Sequence, residues 1–409
     1  MIYLNNNDTI KIFADYVTLT GFTIFYDYPY YIKEFIITSD YVNISGNIFI
    51  LVTIYLEKNQ GCTISENVFT NRDTGDASGV SFNSCSNHTI VNNKMYAETC
   101  IGFCGFYINN SNHLTISNNI VDHGTIEISN SKNITVTKNY ISGFWDYASL
   151  GVTNSQNIVI EGNTILPGLM EPESLIYFNV VSDSIISGNF LRGNRQQEIY
   201  YTSESLNNHT LNDSTENTLY GLNFWEVKNT LVINNSIRDN SEGIIMYSSS
   251  LVSVNNNEIS NNEQGIDLWG GCVNCTFYGN LISNNSDVGI KLLDVGLNVI
   301  ERNKIQNNKH GLSIEDSHAI ISSNNFINNN IHALIICRGL EKLRPPTLIK
   351  QTWENNYWDN WKTRIPRPII GTGIILIQIY RLILPIPPFP FFQFDWHPAK
   401  KPHDIPGMS

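Results

Sequence analysis

The sequence predicts an all-β fold, a right-handed parallel β-helix of about fourteen coils. Three observations predict it: an asparagine that returns at a nearly fixed interval, short alternating apolar stretches between those asparagines, and a composition that supplies a core without a charged surface. The unit reads S-x-N-x-x-I-x-x-N-x-I-x-x-N-x-x-G-I-x-L, clearest in SKNITVTKNYIS (131–142), SQNIVIEGNTIL (155–166) and the run from Asn229 to Ile327. Its central asparagines are Asn47, Asn67, Asn93, Asn119, Asn139, Asn163, Asn189, Asn235, Asn257, Asn280, Asn303 and Asn325. They are spaced by 20 to 26 residues, except for one gap of 46 that reads as two periods with Asn212 in the missing place. A period of that length, holding two or three alternating stretches of about four residues between Asn or Gly turns, fits one coil of a β-solenoid and no helix. The anchor asparagine tolerates left-handed backbone and can pair its amide with the asparagines of the coils above and below.

Composition agrees. Charged residues make up 15% of the 409-residue chain and hydrophobic residues 42%, so a large core can be buried and the polar surface must come from Asn, Ser and Thr. A net charge of −12 excludes nucleic acid and anionic lipid as partners, because both require a basic footprint. Neutral glycans and divalent cations stay open. Seven cysteines are too few to build a fold of this length from disulfides. The opening MIYLNNNDTIKIFADYV has no basic and apolar leader, and it starts inside a repeat, so an upstream start is expected. The longest apolar stretch, Ile369 to Phe394, is interrupted by Gln378, Arg381 and several prolines, and falls short of the ~20 clean residues of a membrane span.

A second stretch in each coil, Gly followed by alternating apolar residues, begins at Gly79, Gly105, Gly221, Gly243, Gly265, Gly289 and Gly311. The buried apolar pair fixes its register, so the residue between the pair must face out. That places Ser81, Tyr107, Glu127, Gly151, Tyr177, Asn223, Ile245, Asp267, Lys291 and Ser313 in one external column. Two residues further on, Trp225, Tyr247 and Trp269 fall on three successive coils. With strands ~4.8 Å apart they would form an aromatic face about 10 Å long, suited to stacking on sugar rings, with Asn223, Asp267 and Lys291 beside it to bind hydroxyls. The competing reading is that such rings only cover one another and stiffen the strand.

Other constellations are weaker. Asp294 and Asp316 each precede an anchor by nine residues and should stack on adjacent coils with Glu315 alongside, the kind of carboxylate pair a glycosidase needs. Solvated turn carboxylates are the favoured reading of them. His310 and His332 each follow an anchor by seven residues and should stack in one turn, with Gln264 and Glu242 at the same register, but two imidazoles do not complete a zinc site. Cys272 and Cys275 form a C-x-x-C whose two registers are occupied separately by Cys85 and Cys62 in other coils, so the spacing follows from the repeat.

The residues resemble the NosD-like right-handed β-helix proteins of the pectin lyase-like superfamily, of the archaeal surface type. DYVTLTGFTI (15–24) is similar to that family's strand D-W-V-N-I-S-G-F-T-I, and WENNYWDNW (353–361), RPIIG and FDWHPAKKPHDI (394–405) are similar to its closing segment. The resemblance implies the fold, an extracellular or envelope location, and an association with carbohydrate binding or sugar cleavage. It supplies no catalytic motif. The copper in the family's name finds no support, since no Met-rich or clustered His set is present. No cofactor is therefore expected, with calcium left open.

The expected organisation is one β-helix from 1 to 352 and a Trp/Pro-rich C-terminal segment from 353 to 409 that covers the open end through Trp358, Trp361, Phe394 and Trp396. Three functional classes follow: non-catalytic recognition of a polysaccharide or cell-surface glycan, favoured; a polysaccharide lyase or hydrolase; and a structural envelope protein.

Overall fold

The structure, a computed structural model, describes residues 2–4, 9–26, 33–70, 79–96, 104–143, 148–168, 172–194, 219–339, 351–363, 365–379, 382–385 and 389–405. Every secondary-structure element in them is a strand. One coil shows the plan. Thr276–Tyr278 leads to a turn at Asn280, Leu281–Ser283 to a second turn at Asn285, and Val288–Leu293 completes the circuit. Strands that precede the anchor stack into a 14-stranded first sheet, and those that follow it stack into a 15-stranded second sheet. The longer strands form a third sheet along the whole stack, so the rungs are close in number to the coils expected.

Pairing between coils is parallel and in register, as in Ile244↔Ile266 and Met246↔Leu268, then Ile266↔Ile290 and Leu268↔Leu292. These apolar pairs are fully buried in the lumen. Alternation in a strand leaves only this choice, because a slip of one residue would put every aliphatic of the rung into water, at about 1.5–3 kcal/mol for each. Aromatic side chains stack along the lumen in the same way, as Phe49 does on Phe69 at 5.0 Å.

The anchor amides form one continuous ladder. In each rung the backbone N–H and Nδ2 of the asparagine both donate to the Oδ1 of the next, as from Asn280 to Asn303 at 2.9 Å each, while Nδ2 also donates to Val254 O on the preceding rung. The left-handed conformation lies one residue earlier than expected. It falls on Glu66, Lys138, Gly162, Asn234, Gly279 and Arg302, all at φ between 53° and 66°, and the anchors themselves are absent from the left-handed set. Asparagine recurs for its amide and not for its backbone freedom. A Lys or Arg held at positive φ is a local strain that the surrounding rungs maintain.

Three anchor expectations change. Asn303 bonds to Asn324 at 2.9 Å, so Asn324 and not Asn325 is the ladder member. Asn189 bonds directly to Asn235 at 2.9 Å, so the gap of 46 is a single coil carrying an insertion, and no extra coil intervenes; Asn212 lies outside the described residues. Asn324 in turn bonds to Asn356 at 3.0 Å, one rung beyond the last expected anchor. A second, shorter ladder runs through the other turn from Asn240 to Asn262, Asn285, Asn308 and Asn329. The glycines beside it are set by close approach: a Cβ on Gly265 would run into the backbone of Gly289 on the next rung.

After residue 351 the chain adds one more level to all three sheets. Thr352–Glu354 pairs with Ile320–Ser322, Tyr357–Trp358 with Asn325–Phe326, and Arg367–Ile379 with Ile335–Gly339. Phe389–Asp395 then folds back antiparallel on Arg367–Gly373. Trp358 is fully buried and stacks on Phe326 at 4.3 Å and 8°, with the Arg367 guanidinium over its other side at 4.3 Å. Asp395, also fully buried, ends the anchor ladder: its Oδ2 accepts from Asn356 N (3.1 Å), Asn356 Nδ2 (3.2 Å) and Trp358 Nε1 (3.1 Å). Phe394 and Trp396 face outward and pack on each other at 5.3 Å.

Candidate functional site

The third sheet carries the external columns. Its pairings place Ser81, Tyr107, Glu127, Gly151, Tyr177, Asn223, Ile245, Asp267, Lys291 and Ser313 in one unbroken register. Two residues along, Trp225, Tyr247 and Trp269 are paired on consecutive rungs. Their rings are not a flat platform. Tyr247 sits between the tryptophans, with centroids 4.1 Å from Trp225 and 4.6 Å from Trp269, and the two indoles meet edge to face at 6.4 Å and 89°. The expected face about 10 Å long is thus a tighter cluster, because parallel rings one rung apart would waste the edge-to-face contact that aromatic quadrupoles favour. Both indoles stay partly open, at 38% and 36% exposure. Gly270 gives the cluster its shape: it takes φ 65° in the turn after Trp269, and a Cβ there would run into the Tyr247 ring.

The polar groups beside the cluster are less exposed than expected. Asn223 is half-buried and donates to Ser174 Oγ at 3.2 Å. Asp267 is only 6% exposed, and its Oδ2 holds Lys291 Nζ at 2.9 Å, while the same ammonium reaches Gln264 Oε1 at 3.4 Å. Glu242 and Gln264 share one register of the repeat, but the repeat pattern alone does not show that Glu242 belongs to this group. Glu242 starts the strand that ends in Tyr247, pairs with Gln264, and is felt electrostatically by Asp267 and Lys291. Burial pushes its carboxyl up to about 7, and the Asp267 charge adds to the effect. Burial likewise raises Asp267, against the lowering effect of Lys291. Glu242 Oε2 and Asp267 Oδ1 are both buried and accept no hydrogen bond among the described residues.

Asp294 and Asp316 follow the paired residues Leu293 and Glu315, so they do occupy the same turn position on adjacent rungs. Both are left-handed, at φ 51° and 44°, where other rungs carry Asn130, Asn154, Ser248 and Gly270, which is the chemistry of a turn. Glu315 is buried in the column between Leu293 and Ile336.

His310 and His332 do not stack, which corrects the expectation. His310 pairs with Ile331, so His332 falls one position later, opposite Gly311, and turns inward. The shift follows from the true anchor being Asn324. His332 Nε2 lies 2.8 Å from Asp359, its ring packs 6.0 Å from Trp358, and burial lowers its pKa. Cys272 and Cys275 are buried free thiols hydrogen-bonded to backbone carbonyls, and burial pushes Cys275 up to about 12. They are lumen packing at the registers of the repeat.

The chain matches the family model described as periplasmic copper-binding protein (NosD) over residues 168–362, and the right-handed β-helix region over 52–168 and 78–226. No curated protein matches it. Solved structures that are similar include the mannuronan C-5 epimerase AlgE6 A-module of Azotobacter vinelandii (14% identity, 81% of this chain and 88% of that one, TM-score 0.45). The surface protein and adhesin PfbA of Streptococcus pneumoniae is another (14%, 77% and 91%, 0.43). So is the periplasmic alginate epimerase AlgG (13%, 80% and 71%, 0.37).

The donors do not fit a copper ion. Among the described residues no three His, Cys, Asp or Glu side chains are grouped so that they could hold a metal ion. The buried His88 is engaged at both nitrogens, accepting from Cys62 N at 2.8 Å and meeting Asn59 Oδ1 at 3.1 Å. Nor is any described helix long and apolar enough to cross a membrane. Two family models that together span residues 52–362, on a chain whose described rungs pair in parallel and in register up to the antiparallel closing strands, place this protein among the NosD-like right-handed β-helix repeat proteins.

Proposed function

We propose that the protein is an extracellular or envelope-located, non-catalytic glycan-binding β-helix, with Trp225, Tyr247 and Trp269 as the binding face. The location is taken from the periplasmic description of the matching family. One observation carries the binding site: three aromatic rings clustered on consecutive rungs, with both indoles more than a third exposed, on the outward side of a rigid sheet. Sugar rings present C–H faces that stack on such indoles, and Lys291 lies on the adjoining column as a polar partner, with Gln264 bonded to its ammonium. A rigid platform lowers the ordering cost of binding.

A glycan array run with and without calcium tests the proposal, followed by titration of the best glycan into Trp269→Ala. Binding should weaken by roughly 1 kcal/mol beyond area burial, with the melting temperature nearly unchanged. The mutual packing of the three rings favours a second reading, in which they only stiffen the third sheet. In that case Trp269→Ala lowers the melting temperature, and no glycan binds.

A further inference from the structure

Seven N-x-Ser/Thr triplets fall within the described residues, and neither the anchor ladder nor the aromatic face uses them. The repeat produces them readily, because a left-handed turn favours asparagine, the next side chain faces the lumen, and the one after it faces out again. The structure sorts the seven into two groups. In Asn87-His88-Thr89, Asn234-Asn235-Ser236, Asn274-Cys275-Thr276 and Asn284-Asn285-Ser286 the asparagine that opens the triplet is exposed and left-handed, at φ between 56° and 58°. The middle residue of each is buried, and the hydroxyl residue is at least partly exposed. Each of these four asparagines is fixed by its backbone, since its N–H donates to a carbonyl of the next rung, on Asn112, Asn255, Leu297 and Gln306 in turn. No hydrogen bond engages their side-chain amides among the described residues.

The other three amides are committed. Asn43 is half-buried, with its Oδ1 shut away from solvent. Asn109 donates from Nδ2 to Asn83 Oδ1 at 3.3 Å, and its Oδ1 accepts from Ser129 Oγ at 3.1 Å and Asn130 Nδ2 at 3.0 Å. Asn133 is half-buried, donates to Asn112 Oδ1 at 2.8 Å and accepts from Asn157 Nδ2 at 3.0 Å.

We propose that Asn87, Asn234, Asn274 and Asn284 carry N-linked sugar and that Asn43, Asn109 and Asn133 do not. The proposal rests on the extracellular or envelope location put forward above, and not on sugar binding by the rings. The donor class is an oligosaccharide carried on a lipid phosphate. Nδ2 of the asparagine attacks C1 of that sugar; a C1–N bond forms, the C1–O bond to the phosphate breaks, the lipid phosphate leaves with the electron pair, and the amide gives up one proton to base. The transferring enzyme reads the hydroxyl of the third residue together with the asparagine. A turn held by its backbone with an uncommitted amide accepts a bulky sugar without losing a bond of the fold, whereas sugar on Asn109 or Asn133 displaces several. All four sites stand in turns. Asn87 and Asn274 precede strands of the first sheet, Asn234 precedes a strand of the second, and Asn284 stands beside the shorter asparagine ladder. None lies on an outward column of the third sheet, so the attached sugars are not rooted in the face formed by Trp225, Tyr247 and Trp269.

The test uses the full chain recovered from its own cells, with peptide mass spectrometry that locates each sugar. Sugar should appear on Asn87, Asn234, Asn274 and Asn284, with bare peptides at Asn43, Asn109 and Asn133. Thr276→Ala, returned to the same cells, should lose one glycan mass, at Asn274 alone, while Thr276→Ser should keep it. Position 276 faces outward, so neither change should move the melting temperature appreciably. Bare peptides at all four sites, in protein recovered from outside the cytoplasm, would overturn the proposal and leave the location standing. Protein confined to the cytoplasm would end the location and the proposal together. Sugar on Asn43, Asn109 or Asn133 in place of the four, or sugar that persists on Asn274 in Thr276→Ala, would also overturn it. A glycan array on which nothing binds overturns the aromatic face and leaves the peptide result as it is.

Discussion

Replacing Asp395 by alanine should unlock the C-terminal end of the solenoid. Three donors converge on Asp395 Oδ2, and the residue has no exposed surface, so water cannot take its place. Asn356 Nδ2 would keep its bond to Ile321 O at 2.9 Å, but Asn356 N and Trp358 Nε1 would be left without partners. Two orphaned buried donors at about 1–3 kcal/mol each predict a loss of about 2–6 kcal/mol. Asp395→Asn keeps one acceptor oxygen and should lose less than half as much. The assay is a denaturant midpoint together with amide exchange, because rungs of a repeat array contact only their neighbours and the damage should concentrate in the last few. An Asp395→Ala protein with the midpoint of the wild type, and with full protection at Trp353 and Trp358, would refute this account of the ladder's end.

Asn163→Ala removes a fully buried ladder member, orphaning Asn139 N and Val136 O, and should cost about 2–6 kcal/mol, whereas the half-buried left-handed Asn133→Gly should cost about 1 kcal/mol at most; parallel unfolding curves check both. Gly270→Ala should push the Tyr247 ring out from between the indoles, changing tryptophan fluorescence and abolishing any glycan binding while the remaining rungs stay folded. His88, held by burial at about 4, stays neutral in the folded chain while the unfolded chain takes up a proton near the ordinary histidine value of about 6.5. The contribution of His88 to stability should therefore fall as pH drops from about 6.5 to about 4, and His88→Asn should reduce by that amount the acid-side loss in midpoints measured across the range, while the buried His332 keeps its own contribution.

The sheet registers were legible because lumen sterics leave no freedom: an apolar pair such as Ile266 and Leu268 can face only inward, and this carried the external column correctly through ten rungs. The anchors were legible for the same reason until two asparagines stood side by side. Asn324 and Asn325 are equivalent to a periodicity argument, and only the hydrogen bond from Asn303 separates them, so the one-residue error passed on to His332. The 46-residue gap misled because a coil with an insertion and two coils have the same length. The Glu242 cluster was hidden for a different reason. Glu242 and Asp267 belong to different columns, and counting along columns never compares a strand's first residue with the middle residue of its neighbour. The signal available was chemical: Glu242 and Gln264 share a register next to a column holding Asp267 and Lys291.

The anchor ladder points one way. Side chain to side chain, each asparagine donates forward to the next Oδ1 and offers its own single oxygen backward, beginning where Asn47 Oδ1 receives Phe22 N at 2.9 Å. Any interior rung is therefore interchangeable with its neighbours, and whole coils can be duplicated or lost between two asparagines without leaving a group unmatched. The terminus does not share this freedom. It needs an acceptor that makes no further demand for a partner, and a carboxylate meets that requirement where another amide would only call for one more coil. Asp395 thus acts as a stop signal written in hydrogen bonds, and the length of the asparagine ladder is decided by where such a carboxylate folds back onto the stack.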